Sequence, residues 1–195
     1  RLKKEGQCKK LVVAGCLAER YREEIQKEIP EIDFVFGPDE LGSILEAVRI
    51  NGNDPVPELS IDALYTSREV PTIPRILTTP SHMAYLKISE GCDHTCAFCA
   101  IPSFRGAFRS RSVDDLVREA ERLADGGVRE LVIVSQDTLA YGKDLGITDG
   151  IMHMLEGLLT VDGLAWIRLL YCYPNLLSES MVRFIGSEDK VCSYF

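Results

Sequence analysis

The feature that most constrains this chain is an apolar, strand-like run, Met83–Ser89, that leads straight into three cysteines. Cys92, Cys96 and Cys99 are spaced Cys-x3-Cys-x2-Cys. Three thiolates can hold three irons of a 4Fe–4S cluster and leave the fourth iron without a protein ligand. An open iron can bind a small molecule, so the spacing points to chemistry rather than to a closed electron-transfer centre. A structural zinc site asks for four ligands, commonly two cysteine pairs or a cysteine pair with a histidine pair. The sequence holds one short cysteine run and no second pair. His94 inside the run and His82 before it nevertheless leave a Cys3His zinc site open on counting alone. A disulfide is disfavoured, because three clustered thiols leave one over.

Around this motif the chain alternates strand and helix patterns. Leu11–Ala14 is a short apolar run ending at Gly15, which reads as a buried parallel strand. Leu17, Tyr21, Ile25 and Ile29 recur every four residues and predict a helix that Pro30 stops. Phe34–Phe36 predicts a second strand. Residues 39–50 predict a helix with Leu41, Ile44, Leu45 and Val48 on one face. From 51 to 81 the pattern lapses and prolines 55, 57, 71, 74 and 80 accumulate, as in an inter-domain linker. The rhythm then resumes. Strands are predicted at Ala84–Ser89, Glu130–Val134 and Trp166–Leu170, and helices at Val113–Asp125, Asp149–Thr160 and Ser178–Ile185. Repeated βα units imply a parallel sheet curling toward a full or partial barrel, with ligands beyond the C-terminal strand ends. The cysteine run follows the first of these strands and Ser135-Gln136-Asp137-Thr138 follows the second, so both belong to one face. The expected division is 1–52 for a partial first domain, 53–81 for the linker and 82–195 for the second domain.

Composition narrows the setting. With 46% hydrophobic and 27% charged residues, the 195-residue chain is that of an ordinary globular protein. No apolar run approaches the roughly 18 residues that span a bilayer, and the start shows no signal peptide. Seven cysteines without such a signal suit a reducing, cytoplasmic compartment, where thiols serve metals or catalysis. A net charge of −8 argues against a generic nucleic-acid binder. Both ends read as cut: Arg1 opens inside a connection and Val191–Phe195 is strand-like. The expectation is a fragment of a longer protein.

The segment Glu90-Gly91-Cys92-Asp93-His94-Thr95-Cys96-Ala97-Phe98-Cys99, followed by Ile101-Pro102-Ser103-Phe104-Arg105-Gly106 and Arg109-Ser110-Arg111, resembles the radical S-adenosylmethionine methylthiotransferases. Gly15-Cys16-Leu17-Ala18-Glu19-Arg20-Tyr21 is similar to the surroundings of the last of three further cysteines in that family's N-terminal domain. Two branches differ after these motifs. The tRNA-modifying (MiaB-like) branch typically reads Pro-Tyr-Thr-Arg-Gly, Gly-Gln-Asn-Val and Thr-Ser-Pro-His-Pro at three places. Here the same places read Pro102-Ser103-Phe104-Arg105-Gly106, Ser135-Gln136-Asp137-Thr138 and Arg168-Leu169-Leu170-Tyr171-Cys172-Tyr173-Pro174. All three resemble the RimO-like branch, which methylthiolates the β-carbon of an aspartate in small-subunit ribosomal protein S-twelve. The resemblance runs from Lys10 to Phe195.

That resemblance implies an α/β fold: the C-terminal half of an N-terminal methylthiotransferase domain, then a truncated radical-SAM (β/α) partial barrel. It implies two 4Fe–4S clusters. Cys92, Cys96 and Cys99 would ligate one; Cys16 would contribute to the other, whose remaining ligands would lie upstream, with Cys8 a substitute only in principle. Cys16 read alone is as well explained by burial, and Cys172 and Cys192 by packing. S-adenosylmethionine would serve twice, once as methyl donor to sulfur at the N-terminal cluster and once as radical source. Gln136 and Asp137 would contact it, although a turn with a helix cap suits them equally. Arg105, Arg109 and Arg111 form a basic cluster whose guanidinium forks suit carboxylates, or simply a solvated surface. Tyr171 and Tyr173 either line the pocket or pack. Implied partners are ribosomal protein S-twelve and an electron donor such as flavodoxin or ferredoxin, with no membrane and no required nucleic acid. The alternatives are a tRNA isopentenyl-adenosine methylthiotransferase, another radical enzyme of the superfamily, and a non-catalytic iron–sulfur or zinc module.

Overall fold

The structure, a computed structural model, describes residues 3–49 and 76–194. Most of the expected linker, and the boundary at 52, lie outside the described residues. Two compact units are present. One comprises the described residues up to Arg49 together with Thr95–Gly106, and the other comprises 76–94 with 107–194. The chain therefore visits the first unit a second time, between His94 and Ala107.

In the first unit, β1 (Val12–Ala14) and β2 (Phe34–Phe36) pair in parallel with Val13 opposite Val35. The helix expected over 17–29 forms as two pieces, α1 (Cys16–Arg20) and α2 (Arg22–Glu28). Tyr21 bends the axis at φ −126°, ψ 33°, yet the ladder survives: its amide reaches the Leu17 carbonyl and its own carbonyl receives the Ile25 amide. At the bend Arg22 turns to the sheet, donating to the Val35 carbonyl at 3.2 Å and pairing with Glu40 and Glu19. The predicted stripe is not a core stripe here, since Leu17, Tyr21 and Ile29 are exposed and nothing in α2 is buried.

The helix expected over 39–50 begins instead as a 3-10 turn, Pro38–Ser43, and becomes α3 only over Ile44–Arg49. Its inward side is Ser43 and Ala47, while Leu45 and Val48 face out. Lys10 explains the orientation. Its ammonium donates to the Ala47 carbonyl at 2.6 Å and the Val48 carbonyl at 3.1 Å, meeting acceptors that a helix end leaves unpaired. After the cysteines, α4 (Ile101–Arg105) returns to this unit and packs on α1.

The second unit follows the expected βα order closely. Strands β3 (Met83–Lys87), β6 (Glu130–Val134) and β7 (Trp166–Leu169) form one parallel sheet in the order β3-β6-β7. Val191 bridges Ile167 in parallel beyond β7, continuing the same progression. Helices α5 (Val113–Asp125), α6 (Gly150–Leu159) and α7 (Glu179–Ser187) complete the units. Ser112 and Ser178 cap α5 and α7 by accepting the Asp115 and Met181 amides.

Side-chain alternation decides which sheet face the helices cover. Ala84, Leu86, Leu131, Ile133, Ile167 and Leu169 form a buried cluster with Leu116 and Ala120 of α5, Met154, Leu155 and Leu158 of α6, and Met181 and Ile185 of α7. The opposite face carries Tyr85, Val132 and Arg168 in register, with Arg168 donating to Glu130 at 2.8 Å. The expected strand 84–89 departs from the prediction at its end. After Lys87 the chain leaves the sheet, and β4 (Ser89–Glu90) pairs antiparallel with β5 (Arg109–Ser110). This two-stranded clasp closes the long excursion that carries the cysteines.

Candidate functional site

Gly91, at φ +77°, turns the chain out of β4 into a segment, 91–100, without helix or strand. A side chain is strained in that conformation, so glycine suits the position. Cys92 is buried at the start of the segment and belongs to the second unit, whereas Cys96 and Cys99 are half-buried and group with the first. The Cys99 amide donates to the Cys96 carbonyl at 3.0 Å, forming the turn between them. Every cysteine of the chain is a free thiol. Among the described residues, no three His, Cys, Asp or Glu side chains converge tightly enough to grip a metal ion. The donor chemistry nevertheless fits a cluster: three soft thiol ligands in one short segment, none committed to a disulfide.

The sheet ends supply the rest. Beyond β6, Ser135, Asp137 and Thr138 are all buried. The Ser135 hydroxyl meets that of Ser89 and receives the Asp137 amide at 3.2 Å. Thr138 crosses to the end of β7, donating its hydroxyl to the Leu170 carbonyl and its amide to the Tyr171 carbonyl. Tyr171 there adopts a left-handed conformation, φ +59°, that costs about 1 kcal/mol or more in a non-glycine residue. Asp137 is 1% exposed, and its Oδ2 accepts from Nε2 of His94 at 2.7 Å. The His94 ring stacks on Tyr173, centroids 4.6 Å apart and planes 19° apart. Two buried oxygens at this place, Gln136 Oε1 and Asp137 Oδ1, have no hydrogen-bond partner in the structure. Such atoms are costly to bury unless a ligand donates to them. Close by, burial and then the Asp137 charge push the Cys172 thiol up to about 11.

The arginines divide. Arg111 is buried, ion-paired to Asp115 and Glu119 of α5, and donates to the Lys87 carbonyl at 2.8 Å. Burial works against its charge, yet the two carboxylates hold its pKa above the ordinary guanidinium value. Its fork is thus spent on joining the end of β3 to α5. Arg109 lies opposite Glu90 in the clasp, and Arg105 closes α4 in the first unit. Cys16 opens α1, also in the first unit, directly after Gly15 at φ +117°.

Two supports were invisible in the sequence pattern. Asp93 accepts the Phe108 amide at 2.9 Å, and Asp144 accepts both the amide and the hydroxyl of Ser110, at 2.7 and 2.6 Å. The His94–Asp137–Tyr173 contact is likewise absent from the sequence pattern, in which His94 reads only as a possible zinc ligand. The usable signal is placement: Asp137 and Tyr173 follow the ends of β6 and β7 in the parallel sheet, and His94 follows the clasp strand that continues from β3.

Comparison with known proteins gives consistent relations. The Radical SAM superfamily model matches residues 86–182. The chain is 44% identical over 194 residues to the ribosomal protein uS12 methylthiotransferase RimO of Desulforamulus reducens, covering 98% of this chain and 43% of the relative. To the protein of the same name from Clostridioides difficile it is 43% identical over 204 residues, covering 100% and 43%. To that of Aquifex aeolicus it is 44% identical over 187 residues, covering 96% and 39%. The chain thus spans less than half the length of these relatives. Among solved structures, the radical S-adenosylmethionine methyltransferase TsrM from Kitasatospora setae, with cobalamin and a 4Fe–4S cluster bound, superposes with a TM-score of 0.56 at 14% identity, covering 91% of this chain and 40% of that one. That likeness concerns the fold. No helix among the described residues is long and apolar enough to cross a membrane.

Proposed function

We propose that this chain, a RimO-like member of the radical S-adenosylmethionine methylthiotransferases, methylthiolates the β-carbon of an aspartate in small-subunit ribosomal protein S-twelve. The observation that carries the reading is the gathering of Ser89, His94, Asp137, Thr138 and Tyr173 at the C-terminal ends of three parallel strands, where such sheets bind ligands. Cys92, Cys96 and Cys99 would hold a 4Fe–4S cluster, and Cys16 would be one ligand of a second. When bound, the first cluster supplies the electron that cleaves S-adenosylmethionine and yields a radical able to take hydrogen from an unactivated carbon.

The residues of this chain bind and orient. Asp137 Oδ1 and Gln136 Oε1, both buried without a hydrogen-bond partner, would accept hydrogen bonds from the ammonium group of S-adenosylmethionine. Thr138 fixes the Tyr171–Tyr173 segment, which forms the rim toward the substrate. Arg105 and Arg109 would face the target carboxylate, whereas Arg111 is ion-paired to Asp115 and Glu119. The one-electron donor is a small redox protein of the flavodoxin or ferredoxin class.

The test is an anaerobic assay of a chain extended to the full length of its relatives, given iron, sulfide, S-adenosylmethionine and a reductant. It offers a peptide from the aspartate loop of S-twelve beside a tRNA carrying isopentenyl-adenosine. Methylthiolated peptide is the expected product. Modified tRNA would move the protein to the other branch. The 195-residue chain alone is expected to form neither.

A further inference from the structure

We propose that His94 is a positioning residue that seats the entrance of the cysteine segment, and with it Cys92, on the ends of the second and third sheet strands. The inference rests on the reading that Cys92 ligates a cluster. His94 lies two residues after Cys92 and is held from two directions. Its Nε2 donates to a carboxylate only 1% exposed, and its ring lies flat on Tyr173. Those partners come from separate connections, one after β6 and one after β7, while His94 itself follows β4. Three strand-end segments therefore meet on one imidazole.

The arrangement is rigid where it needs to be. Asp137 receives its geometry from Ser135, whose hydroxyl takes the Asp137 amide and joins Ser89 just ahead of Cys92. Tyr173 leads directly into a 3-10 turn, Pro174–Leu176, that fixes its backbone. One residue before His94, Asp93 accepts the Phe108 amide and closes the other side of the excursion. Cys92 is buried, and along the chain it lies between Ser89, which meets Ser135, and the Asp93 and His94 anchors. A thiolate held this way loses little freedom when it binds iron. Partners behind metal ligands characteristically change retention by 10- to 100-fold when removed.

The experiment uses the full chain in a Cys16→Ala background, so that only the cluster of the loop is read. Wild-type loop, His94→Ala, His94→Gln and Tyr173→Ala are reconstituted anaerobically with iron and sulfide. Iron content, the electron paramagnetic resonance spectrum of the reduced cluster and the rate of bleaching by EDTA are recorded, with the melting of each apo form. His94→Ala is expected to bleach about 10-fold faster or more and to show a shifted spectrum. His94→Gln, which keeps a donor near the Nε2 position, is expected to recover most of the retention, and apo melting is expected to change little. A His94→Ala protein with wild-type bleaching and spectrum overturns the proposal while leaving the cluster reading intact. Failure of the parent itself to take up iron overturns the cluster reading. Should His94→Ala not fold, Tyr173→Ala decides, because it removes the stack and keeps the hydrogen bond; wild-type bleaching there overturns the proposal.

Discussion

At the scale of single residues, the site separates groups that hold the fold from groups left free for a ligand. Arg111 belongs to the first kind. Replacing it with Met takes the guanidinium from buried Asp115 and half-buried Glu119, and the expected cost is about 3 kcal/mol, read by urea denaturation. Cluster spectra of that variant should stay those of the parent, whereas a cofactor-binding arginine would alter them. Cys172 offers a pH test. Its raised pKa means the folded form keeps its proton while an unfolded chain, near the ordinary value of 9, ionises first. Its contribution to stability is therefore whole below pH 9 and falls as pH rises from there toward 11. At pH 8 it should react with iodoacetamide about 100-fold more slowly than an unperturbed thiol, as mass spectrometry of the labelled peptide would show. Labelling at the ordinary rate would mean that its surroundings are wetter than the structure has them.

At the scale of elements, much of the second unit was legible because its pattern is redundant. Val113–Asp125 and Glu130–Val134 form where periodicity placed them, with Ser112 as the cap. Period-3.6 patterning of α5 there agrees with the turn chemistry at its two ends, the Ser112 cap and the Gly126-Gly127 turn. The first unit was less legible. A four-residue recurrence could not reveal the bend at Tyr21, which is tied to Arg22 reaching the Val35 carbonyl from a distant strand. Nor could it show that small Ser43 at the end of the 3-10 turn and Ala47 on α3 turn inward, while Leu45 and Val48 are exposed. Contacts such as His94 with Asp137, 43 residues apart, leave no periodic trace at all. One element-level prediction follows from close backbone approach. A Cβ on Gly150 would lie 2.4 Å from the Tyr141 carbonyl and 2.9 Å from the Gly142 Cα. Gly150→Ala should therefore destabilise the second unit by about 1–3 kcal/mol and loosen Asp144 from Ser110. Faster amide exchange at Ser110 would report the loosening, and unchanged exchange would count against this packing.

At the scale of the whole molecule, the fold puts its chemistry where its topology allows it. Parallel strands deliver three connections to one sheet edge, and the polar residues that escape the core collect there: Ser89, Ser135, Asp137 and Thr138. The cysteine segment leaves the same edge through the β4–β5 clasp. The family was legible in the sequence because it is written in short local motifs. The supports around the site were not, because they depend on the strand order. The measurement that bears most directly on the account is Mössbauer and electron paramagnetic resonance spectroscopy of the anaerobically reconstituted full chain in the Cys16→Ala background, before and after S-adenosylmethionine. The account predicts about four irons per chain, lost when Cys92, Cys96 and Cys99 are replaced together, and a spectrum that changes on adding S-adenosylmethionine as one iron gains a new ligand. A colourless protein holding one zinc, or a cluster indifferent to S-adenosylmethionine, would contradict it.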